Sequence, residues 1–182
     1  MPAWCNLANF FTLLRLLLTP LVIDAIVTGR HFLALALFAA AAVTDILDGA
    51  AARRLGLATK TGAYLDPIAD KCLLSGVFLA FAIAGTVPLW FVAIVFGRDL
   101  YLLCAVGIML KFTPVRSFPP SVWGKASTFV QICTAAVWMA RNMLEIPLFS
   151  ALAWAMLWPC AAFTLWSGLH YTWRGMQVAR AH

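Results

Sequence analysis

Four of the seven acidic residues in this chain fall within one short window: Asp45, Asp48, Asp66 and Asp70. Asp45, Asp48, Gly49 and Ala52 are spaced i, i+3, i+4, i+7, which is one stripe of a helix. Gly62, Asp66 and Asp70 are spaced i, i+4, i+8, a stripe of the next helix. If the two helices form an antiparallel hairpin, the stripes can face one another and gather four carboxylates around one small volume. Uncompensated carboxylates repel strongly at low dielectric, and a divalent cation relieves that repulsion. Oxygen-only ligands select a hard ion, Mg²⁺, Mn²⁺ or Ca²⁺, rather than zinc. Four acids are enough for two ions with bridging carboxylates, an arrangement suited to phosphoryl transfer. Gly49, Ala52 and Gly62 leave room on the stripe for a ligand to touch backbone. Pro67 removes a helical hydrogen bond and frees a carbonyl near Ala63, a candidate extra ligand. The plainer alternative is a surface salt-bridge network with Arg53, Arg54, Lys60 and Lys71.

The elements that must position these acids are membrane helices. The 182 residues are 64% hydrophobic and 11% charged, with a mean hydropathy of +0.92. A soluble domain has about 45–50% apolar and about 25% charged residues, so the chain reads as an integral membrane protein. A helical span needs roughly 20 mostly apolar residues. Six stretches qualify: Leu7–Thr28, Phe32–Ala52, Gly62–Gly85, Pro88–Leu110, Ser121–Met143 and Pro147–His170. Short connections make neighbouring helices antiparallel and leave no room for a soluble domain. The reading is a single all-α membrane domain over residues 1–182, polytopic with six transmembrane helices. The first segment lacks a basic stretch and a small-x-small cleavage site, so it reads as a retained span rather than a signal peptide.

Loop Lys and Arg residues set the orientation. Arg53, Arg54, Lys60, Lys111, Arg116, Arg174 and Arg180 lie on one side, against Arg30 and Arg141 on the other. Both termini and the carboxylate end of the hairpin are therefore expected in the cytoplasm, with the chain in the inner (cytoplasmic) membrane. The net charge of +6 reads as a basic rim facing anionic lipid head groups. No solvated basic face is left for nucleic acid. The five cysteines stand singly, without a C-x-x-C pair, which supports neither a zinc site nor a disulfide framework. Trp4, Trp90, Trp123 and Trp173 mark helix ends, as interfacial belts do; Trp138, Trp154, Trp158 and Trp166 are read as lipid- or dimer-facing.

The run Asp45-x-x-Asp48-Gly49-x-x-Ala52-Arg53, eight residues, Gly62-x-x-x-Asp66-x-x-x-Asp70 resembles the signature of the CDP-alcohol phosphotransferases at every position. Asn9-x-x-Thr12-x-x-Arg15 is similar to the first helix of the bacterial phospholipid-synthesising members, cardiolipin synthases and phosphatidylglycerophosphate synthases among the relevant branches. The resemblance implies that an acceptor alcohol attacks the β-phosphate of a CDP-linked lipid and that CMP leaves. It further implies that Asp45, Asp48, Asp66 and Asp70 bind two divalent ions, Mg²⁺ or Mn²⁺. Asp48, Gly49, Ala52, Arg53 and Gly62 would hold the CDP moiety. Asp70 would be the candidate base for the acceptor hydroxyl, with Asp66 the alternative. A homodimer is expected from the family alone.

The acceptor pocket is sought among the remaining intramembrane charges. Arg98 and Asp99 are adjacent, so they are expected to point to different sides of the fourth helix. Arg98 could bind an acceptor phosphate or serve as a structural partner. With Arg116 and Lys125 it could form an anion pocket opening on the metal site. Glycerol-phosphate-using members often carry Arg-Glu and Lys-x-Lys-Thr here. This chain has Gly97-Arg98-Asp99 and Gly124-Lys125-Ala126-Ser127-Thr128, the former more similar to members that make cardiolipin. The acceptor is expected to be glycerol-3-phosphate, with phosphatidylglycerol as the alternative. Two other classes, an ion transporter and a non-catalytic scaffold, fit less well. Transporter charges gather near the midplane, whereas these acids sit at one end of a hairpin with the whole signature intact.

Overall fold

Residues 7–55, 60–112 and 122–180 are described by the structure, a computed structural model; for 7–11, 46–55, 60–68, 106–112, 174–176 and 178–180 the description is of the backbone only. They form six helices, with no strand among them: α1 (Leu7–Val27), α2 (His31–Leu55), α3 (Lys60–Ile83), α4 (Leu89–Phe112), α5 (Val122–Leu144) and α6 (Pro147–Arg180). Each coincides with one of the six apolar stretches. The ends differ at the charged residues. Arg53 and Arg54, expected in a loop, lie in α2, and Lys60 opens α3. Nothing in Ala50-Ala51-Ala52-Arg53-Arg54-Leu55 opposes a helix, since Ala, Arg and Leu are its best formers. Helix α6 likewise runs past His170, to Arg180.

Three connections turn tightly at the same end of the bundle. Gly29 and Gly85 take φ of 71° and 68°, and Glu145 takes 52°. A glycine reaches this left-handed region at no steric cost. After α1, the Arg30 amide donates to the Ala25 carbonyl at 2.8 Å and the Gly29 amide to Ile26 at 3.1 Å. After α3, Thr86 donates to Phe81 at 2.9 Å and Gly85 to Ala82 at 3.0 Å. Both are Schellman closures, which satisfy the last helical carbonyls.

Helix α1 packs against both α2 and α3. Gly76 allows the close approach of α3, because a Cβ there would stand 2.8 Å from Ile23 Cδ1 of α1. The expected facing of the two carboxylate stripes falls on residues 46–68, whose side chains lie outside the described residues. Helix α5 packs on α6, α4 on α6 and α3, and α2 on α5. The core is centred on Phe78, Phe81 and Phe91, whose rings meet edge-on at 6.3 and 5.3 Å, a favoured arrangement of aromatic quadrupoles. Trp138 belongs to this interior. It is fully buried, 5.5 Å from the ring of Trp154 and 5.1 Å beneath the Arg141 guanidinium, not lipid-facing as its apolar setting suggested. Trp154, Trp158 and Trp166 are exposed, as are Leu17, Phe32, Leu89 and Leu148, an outer surface too apolar for water. Within α6, Pro147–Trp173 is long and apolar enough to cross a membrane, 27 residues at a mean hydropathy of 1.6.

Candidate active site

Along α1 the residues Thr12, Arg15, Thr19 and Val22 form a buried stripe at helical spacing. A cation on such a stripe must find partners. Arg15 is 1% exposed, and its Nη2 pairs with Asp45 of α2 while its Nη1 pairs with Asp70 of α3. Thr19 Oγ1 donates to the Arg15 carbonyl at 2.8 Å, fixing this turn of the helix. Asp45 and Asp70, one from each carboxylate stripe, are therefore brought to one point by a guanidinium. The side chains of Asp45 and Asp70 are 43% and 39% exposed. Asp48, Gly49, Ala52, Arg53, Gly62 and Asp66 lie on α2 and α3, but their side chains fall outside the described residues, as Arg116 does altogether.

Asp70 also borders a cleft of about 540 Å³ with Lys71, Arg98, Asp99, Lys125 and Tyr171, closed on its apolar side by Leu74, Leu102, Phe129 and Ile132. The cleft thus unites three of the residues singled out from sequence: Asp70, Arg98 and Lys125. Its charges are held by neighbours. Asp99 Oδ1 accepts from Lys71 Nζ at 2.5 Å and from Arg98 Nη1 at 2.7 Å, and Oδ2 accepts from Ser75 at 3.4 Å. Arg98 donates twice more, through Nε and Nη2, to Ser167 of α6 at 3.0 and 2.7 Å. Its stem lies against Gly168, with 3.6 Å between Arg98 Cγ and the place of a Cβ. One expectation is corrected here: Arg98 and Asp99 do not part company around the helix, because the long arginine side chain folds back onto its neighbour. Lys71, weighed in the alternative salt-bridge network around the carboxylate stripes, pairs with Asp99 on α4.

Beneath the cleft, α5 and α6 share a buried polar layer. Gln131 Nε2 donates to Thr164 Oγ1 at 3.1 Å, and Ser127 Oγ lies 3.3 Å from the same oxygen. Such hydroxyl and amide contacts hold helices together where no hydrophobic driving force does. The cleft therefore has a fixed floor, three cations against two acids on its walls, and one carboxylate, Asp70, at its junction with Asp45 and Arg15. An anionic ligand suits it, and a hydroxyl on that ligand could come within reach of Asp70.

The profile of the CDP-alcohol phosphatidyltransferase family matches residues 5–166 of this sequence. The chain belongs to that family. Among CDP-alcohol phosphatidyltransferases it is similar to the probable phosphatidylglycerophosphate synthase of Mycobacterium tuberculosis, with 34% identity over 94% of this chain and 82% of that one. The CDP-diacylglycerol–glycerol-3-phosphate 3-phosphatidyltransferase of Bacillus subtilis is 28% identical over 96% of this chain and 98% of its own. A probable CMP-forming cardiolipin synthase of Drosophila melanogaster shares 32% identity over 81% of this chain and 52% of its own length. The carboxylate signature of residues 45–70 lies inside the matched region. Arg15, Lys71, Asp99 and Ser167 join the candidate site through these contacts, and sequence reasoning gave none of them that place. The signal for Arg15 was present: a lone charge inside an apolar span marks a partner.

Proposed function

We propose that this CDP-alcohol phosphatidyltransferase moves the phosphatidyl group of CDP-diacylglycerol to glycerol-3-phosphate. The acceptor oxygen bonds to the β-phosphorus, the bond from that phosphorus to the bridging oxygen breaks, and CMP departs. The observation that carries this reading is the double membership of Asp70, which pairs with Arg15 beside Asp45 and also lines the cation-bearing cleft. Asp70 accepts the hydroxyl proton as the new bond forms; Asp66 is the alternative base. Arg98 and Lys125 hold the acceptor phosphate, with Arg116 as a further candidate. Asp48, Gly49, Ala52, Arg53 and Gly62 hold the CDP moiety.

The fit of divalent ions rests on chemistry seen at Arg15. Asp45 and Asp70, from separate helices, already share one cation, and an all-oxygen donor set suits a hard ion. Asp45, Asp48, Asp66 and Asp70 are the residues that would hold a pair of Mg²⁺ or Mn²⁺ ions, which when bound neutralise the pyrophosphate and the departing CMP. We further infer six spans with both termini and the cleft on the cytoplasmic side of the inner membrane. The bias of loop Lys and Arg supports this, and the apolar stretch Pro147–Trp173 is consistent with it.

One observation favours a second acceptor. Asp99 offsets part of the charge of Arg98 and Lys71, which suits the single charge of a phosphodiester, as in phosphatidylglycerol, better than a phosphomonoester. Purified protein in detergent, given CDP-diacylglycerol and Mg²⁺ or Mn²⁺, is expected to release CMP when glycerol-3-phosphate is added. Release with phosphatidylglycerol alone would assign the second acceptor. Absence of release with either, together with absence of CDP-diacylglycerol binding, would overturn the enzymatic reading in favour of a scaffold.

A further inference from the structure

Arg15 holds a position that a cofactor-binding reading does not by itself require. It is almost wholly buried, and each of its two terminal nitrogens takes a carboxylate from a different helix. The guanidinium is planar, permanently charged and able to fork between two acceptors. It thereby does for Asp45 and Asp70 what a divalent ion would do: it holds two negative groups side by side and cancels their repulsion. Helix α1 packs against both α2 and α3, so this cation is fixed by tertiary packing and cannot drift away when an ion arrives.

We propose that Arg15 is the resident counter-cation of the carboxylate site, positioning Asp45 and Asp70 in the ion-free protein and competing with the divalent ion for their oxygens. The inference rests on the divalent-ion reading given above. Two physical consequences follow. The ion-free fold is less stable without Arg15, because two carboxylates held side by side then lose a cation that offsets their repulsion. The ion binds less tightly than the carboxylates alone would allow, because it must approach a fixed positive charge and take over the oxygens that the charge holds. Arg15 thus keeps the site assembled between turnovers and keeps the ion exchangeable. A merely structural arginine would contribute to the first effect and not to the second.

The test is Mn²⁺ titration of the purified full chain in detergent, followed by electron paramagnetic resonance, with melting measured in EDTA and in saturating Mn²⁺. Arg15→Gln is expected to bind Mn²⁺ roughly tenfold or more tightly than the wild type, since a neighbouring cation changes the proton affinity of a carboxylate by about one to three powers of ten. Its melting temperature should fall in EDTA and recover most of the loss in Mn²⁺. Arg15→Lys keeps the charge but cannot fork between two carboxylates, so it should bind Mn²⁺ about threefold more tightly and melt between the other two. That variant decides the matter if Arg15→Gln does not fold. Unchanged or weaker Mn²⁺ binding in the folded variants, or an equal loss of melting temperature with and without the ion, would overturn the role of Arg15 alone. A wild type that binds no Mn²⁺ would instead remove the divalent-ion reading, and this inference with it.

Discussion

Arg15 and Arg98 are both buried arginines in an apolar bundle, with side chains 1% and 8% exposed, yet they are held in opposite ways. Arg15 sits in the α1–α2–α3 half, and the acids it pairs with are the residues proposed for ion binding and proton transfer. Arg98 sits where α4 meets α6, and it is held by Asp99 and Ser167, neither of which is assigned a chemical step. The first arginine, on the reading proposed above, shares the oxygens of reactive groups with an arriving ion. The second is restrained by supporting groups and stays in place while a ligand comes and goes. Within one protein the same side chain competes for a site in one half and supports a site in the other.

The sharpest way to break this contrast is at Asp70, the residue common to both regions. Asp70→Asn removes the proposed base and one partner of Arg15. CMP release should fall by at least about 100-fold, the lower bound for loss of a positioned general base, while CDP-diacylglycerol binding persists. A variant that turned over near the wild-type rate would take Asp70 out of the mechanism and pass its role to Asp66. A smaller effect is expected at Ser167. Ser167→Ala deletes both hydrogen bonds to Arg98, each worth about 0.5–1.5 kcal/mol. The KM for glycerol-3-phosphate should rise about 3- to 10-fold with kcat and the KM for CDP-diacylglycerol little changed. An equal fall in kcat would show that Arg98 acts in the reacting centre rather than in holding the acceptor. The smallest effect belongs to the exposed pair of Asp24 and Arg30. Arg30→Ala should cost no more than about 1 kcal/mol, as surface ion pairs do, and leave CMP release intact. A large drop in melting temperature there would mean that burial is not what separates the important arginines from the others.

The six helices were legible because each is an apolar run bounded by glycine, proline or charge, and bilayer thickness fixes the length to look for. The carboxylate stripes were legible for the same geometric reason, since i, i+3 and i+4 spacing is local. What was hidden was relational. Arg15 lies 55 positions from Asp70, and no local pattern says which helices a buried arginine will bridge. The pairing of Lys71 with Asp99 and of Arg98 with Ser167 depends on the same unknown, the order of helices around the bundle. Arg98 and Asp99 misled for a different reason. Backbone periodicity gives the direction of Cβ, but an arginine reaches far enough past its Cβ to return to the adjacent residue. Trp138 misled because apolar character cannot distinguish a side chain facing lipid from one facing protein when both surroundings are equally apolar.

Helix α6 is 34 residues long, about 51 Å at 1.5 Å per residue, whereas a hydrocarbon layer is about 30 Å thick. It therefore works as a ruler laid through the molecule. If the layer begins at Pro147, roughly 20 residues carry the helix to about Trp166, and the next turns hold Ser167, Tyr171 and Thr172. Ser167 carries Arg98, Tyr171 borders the cleft, and Thr172 Oγ1 meets the Tyr101 hydroxyl at 2.7 Å. On the topology proposed above, the polar end of the ruler emerges at the depth where oil gives way to water. A donor that never leaves the oil and an acceptor that never enters it have only that plane in common.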